Sequence, residues 1–341
     1  MGEANLAVPL WCVTQGGVSA DPADQAPHPA QAAVWGLGRV VALEHPHRWG
    51  GLIDLPAVLD DRVASRLRHA LAGAEDHLAV RSAGLYGRRL IRPAVAGTDD
   101  APEWRPHGTV LLTGGATPVG AQVARWLAEH GAEHLVLTTT EHETTDRALV
   151  EALTSAGCQV TIAACDCADR DAVAALLAAL PADAPLTAVV HTATALDSGV
   201  PDSGVLDALT PERLEPVFRA NALAAAHLAE LTRELDLTAF VVFSSVAGMI
   251  GGGGQAGLAA GGAFLDALAE QRAAQGLPAT SVSWGPWART GADPDLRSRL
   301  ARLGLRELAP ELATHALARV IAHGDATAVV ADVDWTRLAA N

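Results

Sequence analysis

The chain has 341 residues, half of them hydrophobic, and a formal net charge of −15. That length suits two domains with a sizeable core, and the acidic balance disfavours nucleic-acid or anionic-membrane partners. With no apolar run near the ~20 residues of a membrane span and no signal-type opening, a cytoplasmic location is expected.

In chain order, the first segment predicts a strand at 8–14, a helix over 30–43, a strand at 51–54, a helix over 62–72 and strands at 78–81 and 84–91. Around 97–107 the periodicity is interrupted by acids and prolines, a linker signature. The expected organisation is a smaller α/β structural subdomain (1–97), a linker (98–107) and a larger unit (108–341). After the break the pattern turns regular. Strands at 109–112, 135–138, 159–164, 186–191, 239–243 and 280–283 alternate with helices at 120–130, 147–156, 170–179, 212–235 and 259–275. Such alternation gives right-handed crossovers and a parallel sheet covered on both faces, a doubly wound Rossmann-type α/β fold. The helix over 120–130 carries the stripe Val123, Trp126, Leu127, His130 and stops at Gly131, a residue suited to a left-handed C-cap.

The turn from the first strand of this unit into its first helix reads Thr113-Gly114-Gly115-Ala116-Thr117-Pro118-Val119-Gly120. Glycine-rich turns of this kind place backbone N–H groups against a pyrophosphate at a helix N-terminus. Gly114, Gly115 and Gly120 keep the pattern, but Pro118 has no N–H and a ring where a phosphate would sit. Past the second strand, Thr138-Thr139-Thr140-Glu141-His142-Glu143 offers no arginine for a 2′-phosphate and adds two acids. Asp166 stands where it could meet an adenine edge or cap a helix, and after His191-Thr192 the bulk of Thr194 replaces a glycine. The glycine turn thus argues for the fold more than for a bound cofactor. Cys165 and Cys167 lie in an apolar run and, with Cys12 and Cys158, show no paired framework, so buried thiols rather than metal ligands are expected.

Several runs together resemble the ketoreductase domain of modular type I polyketide synthases. They are Phe243-Ser244-Ser245-Val246-Ala247-Gly248, Gly254-Gln255, Ala263-Phe264-Leu265-Asp266-Ala267-Leu268-Ala269 and Trp284-Gly285-Pro286-Trp287. Upstream, Val34-Trp35-Gly36-Leu37-Gly38-Arg39 and Arg48-Trp49-Gly50-Gly51-Leu52-Ile53-Asp54-Leu55 resemble the later part of that family's structural subdomain, which extends further at its N-terminus and implies a truncated start here. The resemblance, a member of the short-chain dehydrogenase/reductase class, implies a β-keto group on an acyl carrier protein reduced by NADPH. A serine, a tyrosine, a lysine and an asparagine would polarise the ketone and supply the proton. Carried over by position, the serine is Ser245, whereas Leu258 stands for the tyrosine, Asn221 for the lysine and Gly262 for the asparagine. Leucine donates no proton. The family's Leu-Asp-Asp motif reads Leu196-Asp197-Ser198.

The pattern is closest to the family's non-reducing C-type members. The expectation is a redox-inactive domain with no cofactor, a vestigial dinucleotide turn and a mainly architectural role. Its implied partners are an acyl carrier protein bearing a phosphopantetheine-bound β-ketoacyl chain and the other synthase domains. The alternative is a cofactor-independent epimerase of the α-methyl group, needing a base and an enolate-holding donor such as Ser245. An active NADPH reductase is the remote third. His191 and His227 are read as structural, Trp284 and Trp287 as core residues, and 289–309 as a lid-like segment with a solvated face.

Overall fold

Short runs of β-branched and leucine residues separated by amphipathic helices build two main sheets, and Leu305–Arg306 pairs antiparallel with Asp332–Val333 as a separate two-stranded one, in the computed structural model, which describes residues 8–21, 23–91, 103–139, 146–192, 205–288 and 294–338. The first sheet arises from β1 (Leu10–Gln15), α1 (Pro29–Glu44), β2 (Trp49–Leu55), α2 (Asp61–Ala72), β3 (His77–Val80) and β4 (Leu85–Gly87), in the order β1-β2-β3-β4. Its strands are parallel except β4, which pairs antiparallel to β3.

The second begins with β5 (Thr109–Thr113), α3 (Pro118–Glu129), β6 (His134–Thr139), α4 (Arg147–Ser155), β7 (Gln159–Ala164), α5 (Arg170–Ala178) and β8 (Leu186–His191). It continues with α6 (Pro211–Phe218), a π-type turn at Arg219–Leu223, α7 (Ala224–Leu231), β9 (Ala239–Ser245), α8 (Val246–Ile250), α9 (Ala256–Ala274) and β10 (Thr280–Trp284). Last come α10 (Pro294–Arg302), β11 (Leu305–Arg306), α11 (Pro310–His323), β12 (Thr327–Val330), β13 (Asp332–Val333) and α12 (Trp335–Leu338). Seven parallel strands run β12-β10-β9-β8-β5-β6-β7, the doubly wound order expected from the sequence. Leu111, Leu112, Leu135, Leu137 and Val189 are fully buried because helices cover both faces of the sheet.

Four expectations need correction. The helix expected over 212–235 is α6, a π-type turn and α7, ending at Leu231, with Pro216 inside α6. Proline removes an i→i−4 bond and crowds the preceding turn, so one uniform helix does not form. The strand expected over 84–91 pairs only at Leu85–Gly87. His130 is exposed and lies outside the apolar stripe, its Nδ1 2.8 Å from the Trp126 carbonyl; Gly131 does take a positive φ, +123°. The strand β12 and helix α8 were not anticipated, since runs of four or five residues carry too little periodicity, and the 14-residue helix α11 was not anticipated either. Half of the expected linker, 98–102, lies outside the described residues.

The two sheets are joined by helix packing. Gly36 of α1 sits so close to α9 that a Cβ there would lie 1.9 Å from the Ala259 carbonyl oxygen. A glycine is required at this crossing, and it sets α1 directly against the helix that carries positions 258 and 262. Glu44, at the end of α1, tightens the junction by accepting the N–H groups of Leu206 and Gly254, each at 2.7 Å.

Charge is buried at the same junction. Burial, followed by the neighbouring Asp266 charge, pushes Glu270 up to about 7 from an ordinary 4.5. The folded chain therefore holds a proton that the unfolded chain releases at lower pH. The resulting stabilisation is full below about pH 4.5 and lost as pH rises through 7, on the order of 3 kcal/mol. Urea unfolding at pH 5 and pH 8 is expected to show this loss, and Glu270→Gln to flatten it; an unchanged slope in the variant would assign the effect elsewhere.

Candidate functional site

The glycine turn keeps its shape. Gly114 has φ +72°, the Thr117 N–H reaches the Gly114 carbonyl at 3.0 Å, and a Cβ on Gly120 would fall 2.0 Å from that same carbonyl. Helix α3 therefore starts hard against the turn, as a pyrophosphate-binding helix does. The donors, however, are largely committed. Pro118 occupies the first helical position and has no N–H, while Thr117 Oγ1 accepts the Gly120 N–H at 3.0 Å as the N-cap. Of the residues in the first turn, Val119 alone keeps an N–H toward the space before the helix. Thr117→Ala is expected to cost about 1 kcal/mol in urea unfolding through loss of this cap; a neutral result would mean water replaces it.

The neighbouring positions are also engaged. Thr138 and Thr139 are buried at the end of β6, and Thr140, Glu141, His142 and Glu143 lie outside the described residues. Asp166, expected to face either an adenine or a helix end, accepts the Ala168 N–H at 2.9 Å and pairs with Arg219 at 3.3 Å in an exposed ion pair. Cys165 and Cys167 are buried free thiols. Among the described residues, no three His, Cys, Asp or Glu side chains are grouped to hold a metal ion. No helix described is long and apolar enough to cross a membrane.

The four positions of the sequence-derived relay converge on α9. Leu258 lies in its first turn with 3% exposure, and Gly262 follows one turn later on the same face. A Cβ built on Gly262 would lie 2.9 Å from Ser244 Oγ and 3.5 Å from the Ser245 nitrogen; one on Gly261 would lie 3.4 Å from Asn221 Cβ. Ser245 ends β9 half-buried and caps α8, its Oγ accepting the Ala247 N–H at 3.2 Å. Asn221 is buried in the π-type turn, and its Oδ1 has no hydrogen-bond partner.

His191 is fully buried and has both ring nitrogens occupied. Nε2 lies 3.0 Å from the Asn221 carbonyl, which can only accept, so this nitrogen carries the proton and Nδ1 accepts from Thr113 Oγ1 at 2.6 Å. Burial holds its pKa down to about 4. The neutral ring ties β5 and β8 to the π-type turn and has no free lone pair. His227, half-buried on α7, faces the Cys167 carbonyl at 3.4 Å.

Two features of the composition and one of the structure bear on the relay positions. All 24 basic residues are arginines, so the chain has no lysine at all. The one tyrosine, Tyr86, belongs to β4 and donates to Asp21 Oδ2 at 2.5 Å. Behind position 262 runs a buried polar chain in which Ser283 donates to Ser244 Oγ at 3.2 Å, Ser244 to the Gly262 carbonyl at 3.2 Å and Ser281 to Asp266 at 2.6 Å. Trp284 and Trp287 pack with Phe243 in the core, as expected, with the two indoles 5.0 Å apart edge to face. In the lid-like segment, Arg297 pairs with Glu307 at 3.0 Å while Leu305 and Leu308 are buried. Residues 289–293 and Leu196, Asp197 and Ser198 lie outside the described residues.

Comparison with known proteins gives two family matches. One is described as the KR domain, over residues 108–289, and the other as the Rossmann fold domain of the polyketide synthase extender module SpnB, over residues 2–90. The chain is 50% identical over 348 residues to polyketide synthase GfsA of Streptomyces halstedii, and 47% identical over 344 residues to the pikromycin polyketide synthase component PikAIII of Streptomyces venezuelae. Each match covers 99% of this chain but only 5% and 22% of the respective relative. Among solved structures it is similar to an A1-type ketoreductase, with TM-score 0.93, 48% identity, and 99% of this chain against 71% of that one. A C2-type ketoreductase from a modular polyketide synthase gives TM-score 0.90, 46% identity, and 99% against 73%. Overall likeness is nearly equal for the two types and does not choose between them.

Proposed function

The chain belongs to the ketoreductase domains of modular polyketide synthases, and we propose that it is a redox-inactive member that leaves the β-keto group of a carrier-bound polyketide intact and serves mainly an architectural role. The observation that carries this reading is Leu258, a buried leucine at the proton-donor position. A hydrocarbon side chain cannot protonate a developing alkoxide, and removal of general acid catalysis alone costs ~10²–10⁴-fold. Nothing at hand replaces it, because the chain has no lysine and its single tyrosine belongs to the other sheet. The residues present also do not fit a nicotinamide dinucleotide. Pro118 and the Thr117 cap withdraw two of the first-turn N–H donors that would hold its pyrophosphate, and Asp166 is already engaged.

The partners that follow are the acyl carrier protein with its phosphopantetheine-bound β-ketoacyl chain and the neighbouring domains of a cytoplasmic synthase. Ser245 keeps a hydroxyl that could hold an enolate oxygen, which the α-methyl epimerase alternative would use. That reaction also needs a base, and His191 has both nitrogens engaged. The test is titration with NADPH by nicotinamide fluorescence, together with incubation with an α-deuterated α-methyl-β-ketoacyl carrier substrate. Absent enhancement and retained deuterium are expected. Alcohol product would overturn the reading, and loss of deuterium would replace it with the epimerase.

A further inference from the structure

The connection between Ser245 and Leu258 contains the loop least able to hold its own shape. Residues 251–254 are four consecutive glycines. Gly251 and Gly254 take positive φ, +81° and +77°, and a Cβ on Gly253 would meet nothing within 4 Å. Glycine has the widest backbone freedom of any residue, so such a run is ordered by its surroundings rather than by its own side chains. Gln255, the N-cap of α9, makes no side-chain capping bond either. Leu258 follows three residues later.

The surroundings that order this run belong to α1, in the first subdomain. Arg39 donates to the Gly248 carbonyl ahead of the glycines, and a Cβ on Gly251 would lie 3.0 Å from the Arg39 carbonyl oxygen. Five residues along the same helix, Glu44 Oε1 accepts the Gly254 N–H at 2.7 Å. Helix α1 therefore grips the connection at its start, middle and end. The second oxygen of Glu44 accepts the Leu206 N–H at 2.7 Å. Leu206 opens a 3₁₀ turn, Leu206–Ala208, that has no side-chain cap of its own, so this N–H is one of the orphan donors of a helix start. Leu206 and Leu209 also pack on the apolar cluster of Val40, Ala247, Ala256 and Ala259. Bonds from an ionised carboxylate to backbone N–H groups are roughly twice as strong as neutral ones. His45 lies 3.3 Å from Asp207, but that aspartate is 84% exposed and the pair adds little.

From these contacts we infer that Glu44 is a positioning residue for the relay face. One carboxylate on α1 sets the start of α9, and with it Leu258, against the segment at 206–209. A subdomain that contributes no relay residue thereby fixes where the relay positions stand. The inference does not depend on whether those positions carry out chemistry.

The test compares Glu44→Ala and Glu44→Gln in the 341-residue chain, by amide hydrogen exchange and by the methyl resonances of Leu258. In Glu44→Ala, exchange at Leu206 and Gly254 is expected to be about tenfold faster or more. The amides of β5, β8 and β9 are expected to keep their rates, and the Leu258 methyl resonances to shift. Glutamine has one acceptor oxygen where glutamate has two, so Glu44→Gln is expected to release one of the two amides and to shift Leu258 less. Unchanged exchange at both amides in Glu44→Ala would overturn the inference. Faster exchange spread evenly through β5, β8 and β9 would overturn it too, because it marks a general loss of stability. Freed amides with Leu258 unmoved would do the same, leaving a local staple with no reach into the site.

Discussion

Leu258→Tyr is expected to yield no detectable alcohol when supplied with NADPH and a β-ketoacyl thioester, measured by mass spectrometry of the product. Returning the phenol restores one of three missing groups. The position that would carry a lysine is Asn221, whose buried Oδ1 already lacks a partner, so no ammonium is present to lower the phenol's pKa. Adding Gly262→Asn meets a packing barrier, because its Cβ alone would lie 2.9 Å from Ser244 Oγ. Moving that hydroxyl breaks its bonds to the Gly262 carbonyl and to Ser283. Overpacking of this kind costs about 1–3 kcal/mol, which urea unfolding of Gly262→Asn would register. Alcohol formed by Leu258→Tyr alone would show that the glycine turn still seats a dinucleotide and that another group acts as the missing lysine.

The space beside position 262 is filled by its own walls. Ser244, Ser283 and Asp266 form a polar chain that occupies the space a side chain at 262 would need. Burial raises the pKa of Asp266, opposed by hydrogen bonds from these serines. A side chain introduced at Gly262 must displace them.

How much of this was legible depended on the length scale of each signal. The alternation of strands and helices fixes the sheet because period-2 and period-3.6 patterns are local. Positions 221, 258 and 262 could be singled out as candidates because the flanking runs are distinctive. The Thr117 cap was hidden because Thr117 looked like one more turn residue; its competition for the Gly120 N–H appears only when helix α3 is seen to begin at Pro118. His191 was read as structural, and its link to the Asn221 carbonyl needs the π-type turn, which a uniform helix over 212–235 would not create.

Arg81 is where the largest stability loss is expected. Its side chain is 7% exposed and lies 2.8 Å from Asp24 and 2.9 Å from Asp54, whose carboxylate is fully buried. Asp54 also accepts from Thr14 Oγ1 and the Gly17 N–H, both at 2.6 Å, and Trp35 on α1 donates to that threonine at 2.9 Å. Arg81→Met would leave Asp54 charged in an apolar setting, and breaking one side of a buried pair typically costs about 3–5 kcal/mol. The loss should be largest near neutral pH. Burial pushes Asp24 up, but hydrogen bonds from Arg81 and from the Ala20 and Asp21 N–H groups hold it below its ordinary 3.8. Its contribution is therefore present above about pH 4 and disappears as pH falls through the lower folded value. Urea unfolding of Arg81→Met, Asp54→Asn and the double variant closes a cycle. A double variant more stable than Arg81→Met is expected, since it removes the stranded charge. Additive losses would mean that Arg81 and Asp54 contribute independently and that no charge is stranded when Arg81 is gone.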